Sequence, residues 1–458
     1  MNNKNNFAQG SISANILSLA IPMTLAQLIN VLYNVIDRMY IGHIPNASTL
    51  ALTGIGLTFP IITMILALAN LFGMGGASLC SIARGKGDYE KAEKIMGNSF
   101  FMLIISGVVL TILFLVFKEP LLYLFGASKN TFPYANSYLT IYLLGSIFVC
   151  ISLGMNSFIN SQGFGRIGMM TVLLGAITNL LLDPLFIFVF NMGVTGAALA
   201  TVISQLLSTI WVLKFLTSKK AILKLKVSNI KLDISLVKEI TSLGMSGFIM
   251  SITNGAVQIV CNSTLQTFGG DLYVGIMTVI SSIREVITMP VSGLVNGAQP
   301  ILGFNYGAKK YSRVKKGIKF MYITCIIYTT LMWLAIMLIP KFFINIFNND
   351  PELISKGIPS LNIYFFGFFM MALQFAGQAT FVALKRPKQS IFFSLLRKVI
   401  IVIPVTLILP NLFNLGVYGV FLAEPISNFI CGIASFTTMM LTVWKSLKKE
   451  KPTNNIVD

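Results

Sequence analysis

Histidine is nearly absent: one residue, His43, stands in 458. A haem pocket, a His-containing catalytic triad or an H-E-x-x-H zinc site therefore has almost no material, and no enzyme is expected. Cysteine is sparse and scattered at positions 80, 150, 261, 325 and 431, without C-x-x-C spacing, which suits small packing residues in apolar helices. Charge is scarce as well, at 11% of residues, against about 25% in an ordinary soluble domain. That deficit excludes both a soluble enzyme and a disordered chain. Acidic residues are the rarest class, 15 against 34 Lys and Arg, for a net charge of +19. No basic stretch is interleaved with aromatics as a nucleic-acid surface would require, so no nucleic-acid partner is expected.

What the chain has in abundance is apolar length. Apolar residues make up 55% and mean hydropathy is +0.79. Runs longer than the ~18–20 residues needed to cross a bilayer core recur throughout. Twelve spans are predicted, at 14–41, 51–80, 95–117, 134–160, 168–190, 195–217, 240–268, 273–303, 318–340, 359–384, 391–410 and 416–444. The fold class that follows is an all-α polytopic membrane protein.

An even number of spans puts both ends on one side, and Lys and Arg choose which. The N-terminus, the even-numbered connections and the tail carry 28 of them, including Lys385, Arg386, Lys388, Arg397 and Lys398 after span 10, whereas the odd-numbered connections carry 4. The bias predicts cytoplasmic termini in a cell-membrane protein. The polar start carries one lysine, Lys4, and runs into a segment too long for a signal-peptide core, so no cleavable signal peptide is expected.

The sequence repeats at half its length. A shift of 222 sets Gly75, Gly85, Tyr89, Lys91 and Lys94 on Gly297, Gly307, Tyr311, Arg313 and Lys316. A shift of 223 sets Phe-Asn-Met-Gly-Val-Thr-Gly at 190–196 on Phe-Asn-Leu-Gly-Val-Tyr-Gly at 413–419. The unit is six helices, an even number, so the copies share one orientation and are related by a pseudo-two-fold axis along the membrane normal. The expected layout is an N-lobe at 1–217, a cytoplasmic linker at 218–239, a C-lobe at 240–444 and a cytoplasmic tail at 445–458.

Ionisable side chains within spans mark function by default, because a charge in hydrocarbon costs a few kcal/mol at least. Four acids lie well inside: Asp37, Asp183, Glu285 and Glu424. Asp37 is ~6 Å and Asp183 ~10 Å from the outer ends of spans 1 and 5, at 1.5 Å of rise per residue. Asn179 precedes Asp183 by four residues and shares its helix face, and Thr201 of span 6 reaches the same depth. This oxygen set suits a hard cation such as Na⁺, or a proton shared by close carboxyls. The alternative for either aspartate is a structural role, paired with Arg38 or capping a helix broken at Pro184. In the second copy Cys261 matches Asp37 and Glu424 matches Thr201, so the aspartate set belongs to the first lobe. Arg284 and Glu285 are adjacent in span 8 and point in different directions, each expected to find a partner across the cleft. Pro22, Pro60, Pro184, Pro290, Pro300, Pro404 and Pro425 permit bending of the spans.

Five further features stand together: Pro22, Tyr33-Asn34-Val35-Ile36-Asp37, the Ala83-Arg84-Gly85-Lys86-Gly87-Asp88-Tyr89 turn, Leu182-Asp183-Pro184-Leu185-Phe186-Ile187, and the run from Gln299 to Ala308. On these the chain resembles the multidrug and toxic compound extrusion (MATE) family. It implies two six-helix lobes and alternating-access export of amphipathic, mostly cationic drugs, hence antibiotic resistance, in exchange for Na⁺ or H⁺. It also implies Asp37, Asn179, Asp183 and Thr201 as the cation-coupling set, a metal site if the ion is Na⁺. Arg284, Glu285 and Glu424 are candidates for second-lobe substrate binding or coupling. No resident cofactor is expected. The partners are small-molecule drugs and membrane lipid, and the unit is a monomer. A flippase for a lipid-linked sugar or another lipid is the competing reading. It would more often carry extra spans and several cations in its cavity, where the sequence offers mainly Arg284. A channel would need a polar pore ring, and none is visible.

Overall fold

The computed structural model describes residues 7–44, 48–347, 350–412 and 414–447. Lys4, Lys448, Lys449 and Lys451 of the charge count, most of the tail, and Phe413 of the repeat lie outside them. Among the described residues nine helices are long and apolar enough to cross a membrane, and two bent helix pairs bring the number to 11.

The twelfth span is hidden in the longest helix. Ile234–Gly307 holds 74 residues. At 1.5 Å per residue it would be about 110 Å long, several times a bilayer core of about 30 Å. It is broken at Gly270, whose φ of 67° and ψ of −166° lie outside helical space and in a region open essentially to glycine. Residues before Gly270 therefore make span 7 and those after it span 8. The remaining spans are Ile12–Ile41, Leu50–Gly85, Tyr89–Leu124, the pair Phe132–Leu144 and Ser146–Ser161, Gly165–Val189, Val194–Thr217, Tyr311–Leu338, the pair Pro351–Phe365 and Phe368–Ala383, Pro387–Asn411 and Val417–Trp444. Together they make an all-α, twelve-span fold.

Burial is inverted relative to a soluble protein. Ile112, Val116 and Leu181 stand 60–66% exposed, while Asn98, Asn305, Ser360 and Thr380 are buried. Lipid solvates the apolar surface, so the interior is free to hold hydroxyls and amides that bond between helices. Ser152 donates to Gln205 at 2.7 Å, and Thr209 to the Phe148 carbonyl at 2.8 Å.

The backbone repeats with the sequence. The positive-φ residues Asn191 and Gly193 at the turn before span 6 correspond to Asn414 and Gly416 before span 12. Gly87 and Gly163 likewise correspond to Lys309 and Lys385. Spans 4 and 10 both break, by 55° and 43°.

The chain forms two compact units, Met1–Ala20 with Ser81–Asp88 and Thr253–Asp458, and Ile21–Cys80 with Tyr89–Ile252. In the first unit, Gly85 and Gly307 pack reciprocally. A Cβ on Gly85 would strike the Phe304 carbonyl and one on Gly307 the Ile82 carbonyl, so both positions need glycine. Beside them the segment entering span 1 is clasped. Arg313 donates to the carbonyls of Phe7, Gln9 and Gly10 at 2.8–3.1 Å. Asn305 also donates to Phe7 O, at 3.0 Å, and Arg84 lies 4.9 Å from each of the Phe7 and Phe304 rings.

Candidate coupling and substrate sites

In the second unit, spans 1, 5 and 6 bring the four predicted oxygen ligands together. Asn179 and Asp183 sit one helical turn apart on span 5, and Asn179 Nδ2 donates to Asp183 Oδ1 at 3.2 Å and to Thr201 Oγ1 at 3.4 Å. Thr201 in turn donates to the Ala197 carbonyl at 3.0 Å. Asp183 is fully buried and Asn179 nearly so. The Asp37 carboxyl, carried by span 1, interacts directly with that of Asp183. Two carboxyl groups in such contact need a proton or a cation between them. One oxygen of each, Asp37 Oδ1 and Asp183 Oδ2, is buried without a protein hydrogen-bond donor.

Two local features set this geometry. Pro184 follows Asp183, and the next turn, Leu185–Val189, widens to i→i+5 bonding, with Phe190 N–H donating to Leu185 O at 2.9 Å. A proline withholds its own N–H, and such widened turns re-aim side chains at functional sites. The Arg38 guanidinium lies 4.8 Å from the Phe59 ring centroid and forms no ion pair with Asp37 within 4.0 Å among the described residues, although its charge acts on that carboxyl. Three tyrosines lie together here: Tyr33, part of the motif that ends at Asp37, and Tyr138 and Tyr142, which the sequence did not single out. Tyr33 interacts with both carboxyls, Tyr138 with Asp37, and Tyr138 and Tyr142 stack at 6.1 Å. The i, i+4 spacing of the last two within an apolar span was the available signal. Among the described residues no group of three His, Cys, Asp or Glu could hold a metal ion. A Na⁺ ion here would have two carboxylates, with the Asn179 and Thr201 oxygens completing its shell.

The first unit holds a different constellation. Arg284 of span 8 pairs with Glu424 of span 12 at 2.7 Å, within the same unit rather than across a cleft. Its Nη1 donates to the Tyr364 hydroxyl at 3.0 Å. Glu285, the next residue, points elsewhere; it is exposed and forms no ion pair among the described residues. The structure thus separates Glu285 from Arg284 and Glu424. Cys261, the counterpart of Asp37, is buried 3.8 Å from the Thr406 hydroxyl. All five cysteines are buried and free of disulfides. His43 lies exposed, with Nδ1 2.6 Å from the Met39 carbonyl.

Arg397 and Lys398 correct the charge count. Read as part of the connection after span 10, they lie inside span 11, at 0% and 2% exposure. The widened turn Leu396–Val402 points both toward Glu424. Arg397 Nη2 donates to Glu424 Oε1 at 2.6 Å and to Asn428 Oδ1 at 3.1 Å, and Lys398 Nζ stands 3.9 Å from Glu424 Oε2. The basic connections therefore hold two fewer charges than counted, while the large excess on that side persists. Two cations within an apolar run were visible in the sequence. Their adjacency to the basic loop hid them.

Comparison with known proteins agrees with this architecture. A family model described as MatE matches residues 22–185 and 247–408, one block in each half of the repeat. The "Multidrug export protein MepA" of Staphylococcus saprophyticus is 26% identical over 437 residues, 95% of each chain, and that of Staphylococcus aureus strain MSSA476 is 25% identical with the same coverage. Among solved structures, "Outward-facing conformation of a multidrug resistance MATE family transporter of the MOP superfamily" superposes with a TM-score of 0.90 at 22% identity, over 97% of this chain and 99% of that one. A MOP superfamily transporter from Pyrococcus furiosus gives the same values. With matching blocks in both six-span halves, twelve spans and a fold shared along nearly the whole length, the chain belongs to the MATE family of multi-span membrane transporters.

Proposed function

We propose that this protein exports amphipathic, mostly cationic organic compounds from the cell by alternating access, in exchange for Na⁺ or H⁺. It works as a monomer with both termini in the cytoplasm. The relatives that match over 95% of their length are multidrug export proteins, which supports the substrate class. The observation that carries the coupling is the contact between Asp37 and Asp183, each with one buried oxygen that lacks a protein donor. Such a pair takes up a cation readily and pays a repulsion when empty.

In this reading the cation binds the Asp37, Asn179, Asp183 and Thr201 set more tightly in one state than in the other. Only that difference can drive drug release. Asp37 is the mobile member, carried by span 1, which contains Pro22 and is free to bend there. Asn179 and Thr201 hold Asp183 in place and present oxygens to Na⁺ or to the protonated pair.

The test is efflux of the cationic dye ethidium from proteoliposomes under an imposed Na⁺ gradient and, separately, an imposed pH gradient. Acceleration by one gradient alone names the coupling ion. Ethidium export that responds to neither overturns the coupling, and absence of export brings forward the lipid-linked sugar flippase.

A further inference from the structure

The segment that joins span 6 to span 7 is a strap bonded to the second unit, not a slack tether. Leu225 N–H donates to the Leu216 carbonyl at 3.0 Å, so the chain folds back over the end of span 6. Three buried side chains of spans 3 and 4 then hold its backbone. Glu93 accepts from Lys224 N–H at 3.0 Å, Gln162 from Leu223 N–H at 2.8 Å and Asn98 from Asp233 N–H at 2.7 Å. Gly97 lies so close to the Asn229 carbonyl that a Cβ there would strike it.

This bonding fixes which face of the strap turns outward. Ala221, Leu223, Leu225 and Asn229 are buried against the unit. Lys219, Lys220, Lys226 and Lys231 are exposed, and with them Val227, Leu232 and Ile234, at 86%, 53% and 66%. Seven lysines lie from Lys214 to Lys238 with one acid among them, Asp233, whose carboxylate accepts from the N–H groups of Ser235 and Leu236 at the start of the span 7 helix. Among the described residues only Lys226 of the seven forms an ion pair, with Glu93. The depth of the strap follows from its partners. It is bonded to residues 93–98 of span 3, and the apolar run of that span begins at 95, so the outward face lies at the border between headgroups and acyl chains. Large apolar side chains set among lysines at that level suit the surface of a bilayer that carries negative charge.

We propose that residues 218–234 form a docking surface for anionic phospholipid. Lys219, Lys220 and Lys231 meet the headgroup phosphates, while Val227, Leu232 and Ile234 enter the acyl boundary. The lipid holds the strap from outside and the bonds to Glu93, Asn98 and Gln162 hold it from inside, so the membrane grips the second unit through an element that is not a span. The proposal goes beyond the export reading and requires neither a substrate nor a coupling ion.

The test labels Val227→Cys with a fluorophore, which the five buried native cysteines leave selective, in nanodiscs of phosphatidylcholine. Brominated phosphatidylglycerol or brominated phosphatidylcholine is added at equal mole fraction, and the quenching by each reads which lipid gathers at the strap. Phosphatidylglycerol is expected to quench about fivefold more strongly, the factor supplied by about one lysine near an anionic surface. The ratio should fall toward one in the variant Lys219→Gln, Lys220→Gln, Lys231→Gln. It should also fall in the unsubstituted strap as salt is raised, a check that no folding defect can imitate. A ratio of one at low salt, or a ratio that neither the triple variant nor salt changes, overturns the proposal. Quenching by neither lipid overturns it as well, because Val227 then faces water or another protein.

Discussion

Arg397 donates to Glu424 across 2.6 Å, from a guanidinium wholly buried in span 11 to a carboxylate in span 12. Removing the acid leaves three cations facing one another. Glu424→Gln is expected to destabilise the protein by about 3–5 kcal/mol, as the loss of one partner of a buried pair does. The double variant Arg397→Met with Glu424→Gln should recover part of that loss. Thermal unfolding in detergent reads both, and a single variant as stable as the wild type would show that the pair contributes nothing.

Asp37 and Asp183 share one locus, and neutralising either should uncouple transport. Asp37→Asn and Asp183→Asn are each expected to reduce dye efflux from intact cells by about tenfold or more, the scale of one lost charge-assisted contact. Immunoblots must show an unchanged protein level. Asn at 183 keeps the bond to Asn179, so a folding defect and a coupling defect can be told apart by thermal stability.

The reciprocal contact of Gly85 with Gly307 leaves no room for a methyl group. Gly85→Ala should cost about 1–3 kcal/mol by overpacking. Gly255→Ala, where nothing lies within 4 Å of the added carbon, should be neutral or slightly stabilising. Equal melting temperatures for the two variants would contradict the packing.

Arg313 ties three carbonyls of the segment entering span 1, at Phe7, Gln9 and Gly10. Each bond contributes about 1 kcal/mol. Arg313→Ala should therefore raise hydrogen exchange across residues 7–10 by about tenfold or more, measured by mass spectrometry, with little change in span 9. Unchanged exchange would mean that Asn305, which donates to Phe7 O at 3.0 Å, and Lys310, which donates to Ala8 O at 3.2 Å, suffice to hold the segment.

Much of this was legible in the residues. Twelve apolar runs and the scarcity of charge determined a helical membrane protein, because only helices satisfy their own backbone in lipid when no closed barrel pattern is present. The offset of 222–223 residues determined a six-span repeat, and the structure carries it down to paired positive-φ residues such as Asn191 and Asn414. Asn179 and Asp183 could be placed on one face because helical spacing is local. What only the tertiary structure decided was which distant charges meet. Arg284 and Glu424 are 140 residues apart, and Arg397 looked like an extension of a basic loop until the widened turn at Leu396–Val402 brought it inside. Periodicity reports the face of a helix toward its core, but the partner on that face is chosen by how separate helices pack, and a single sequence holds no record of that choice.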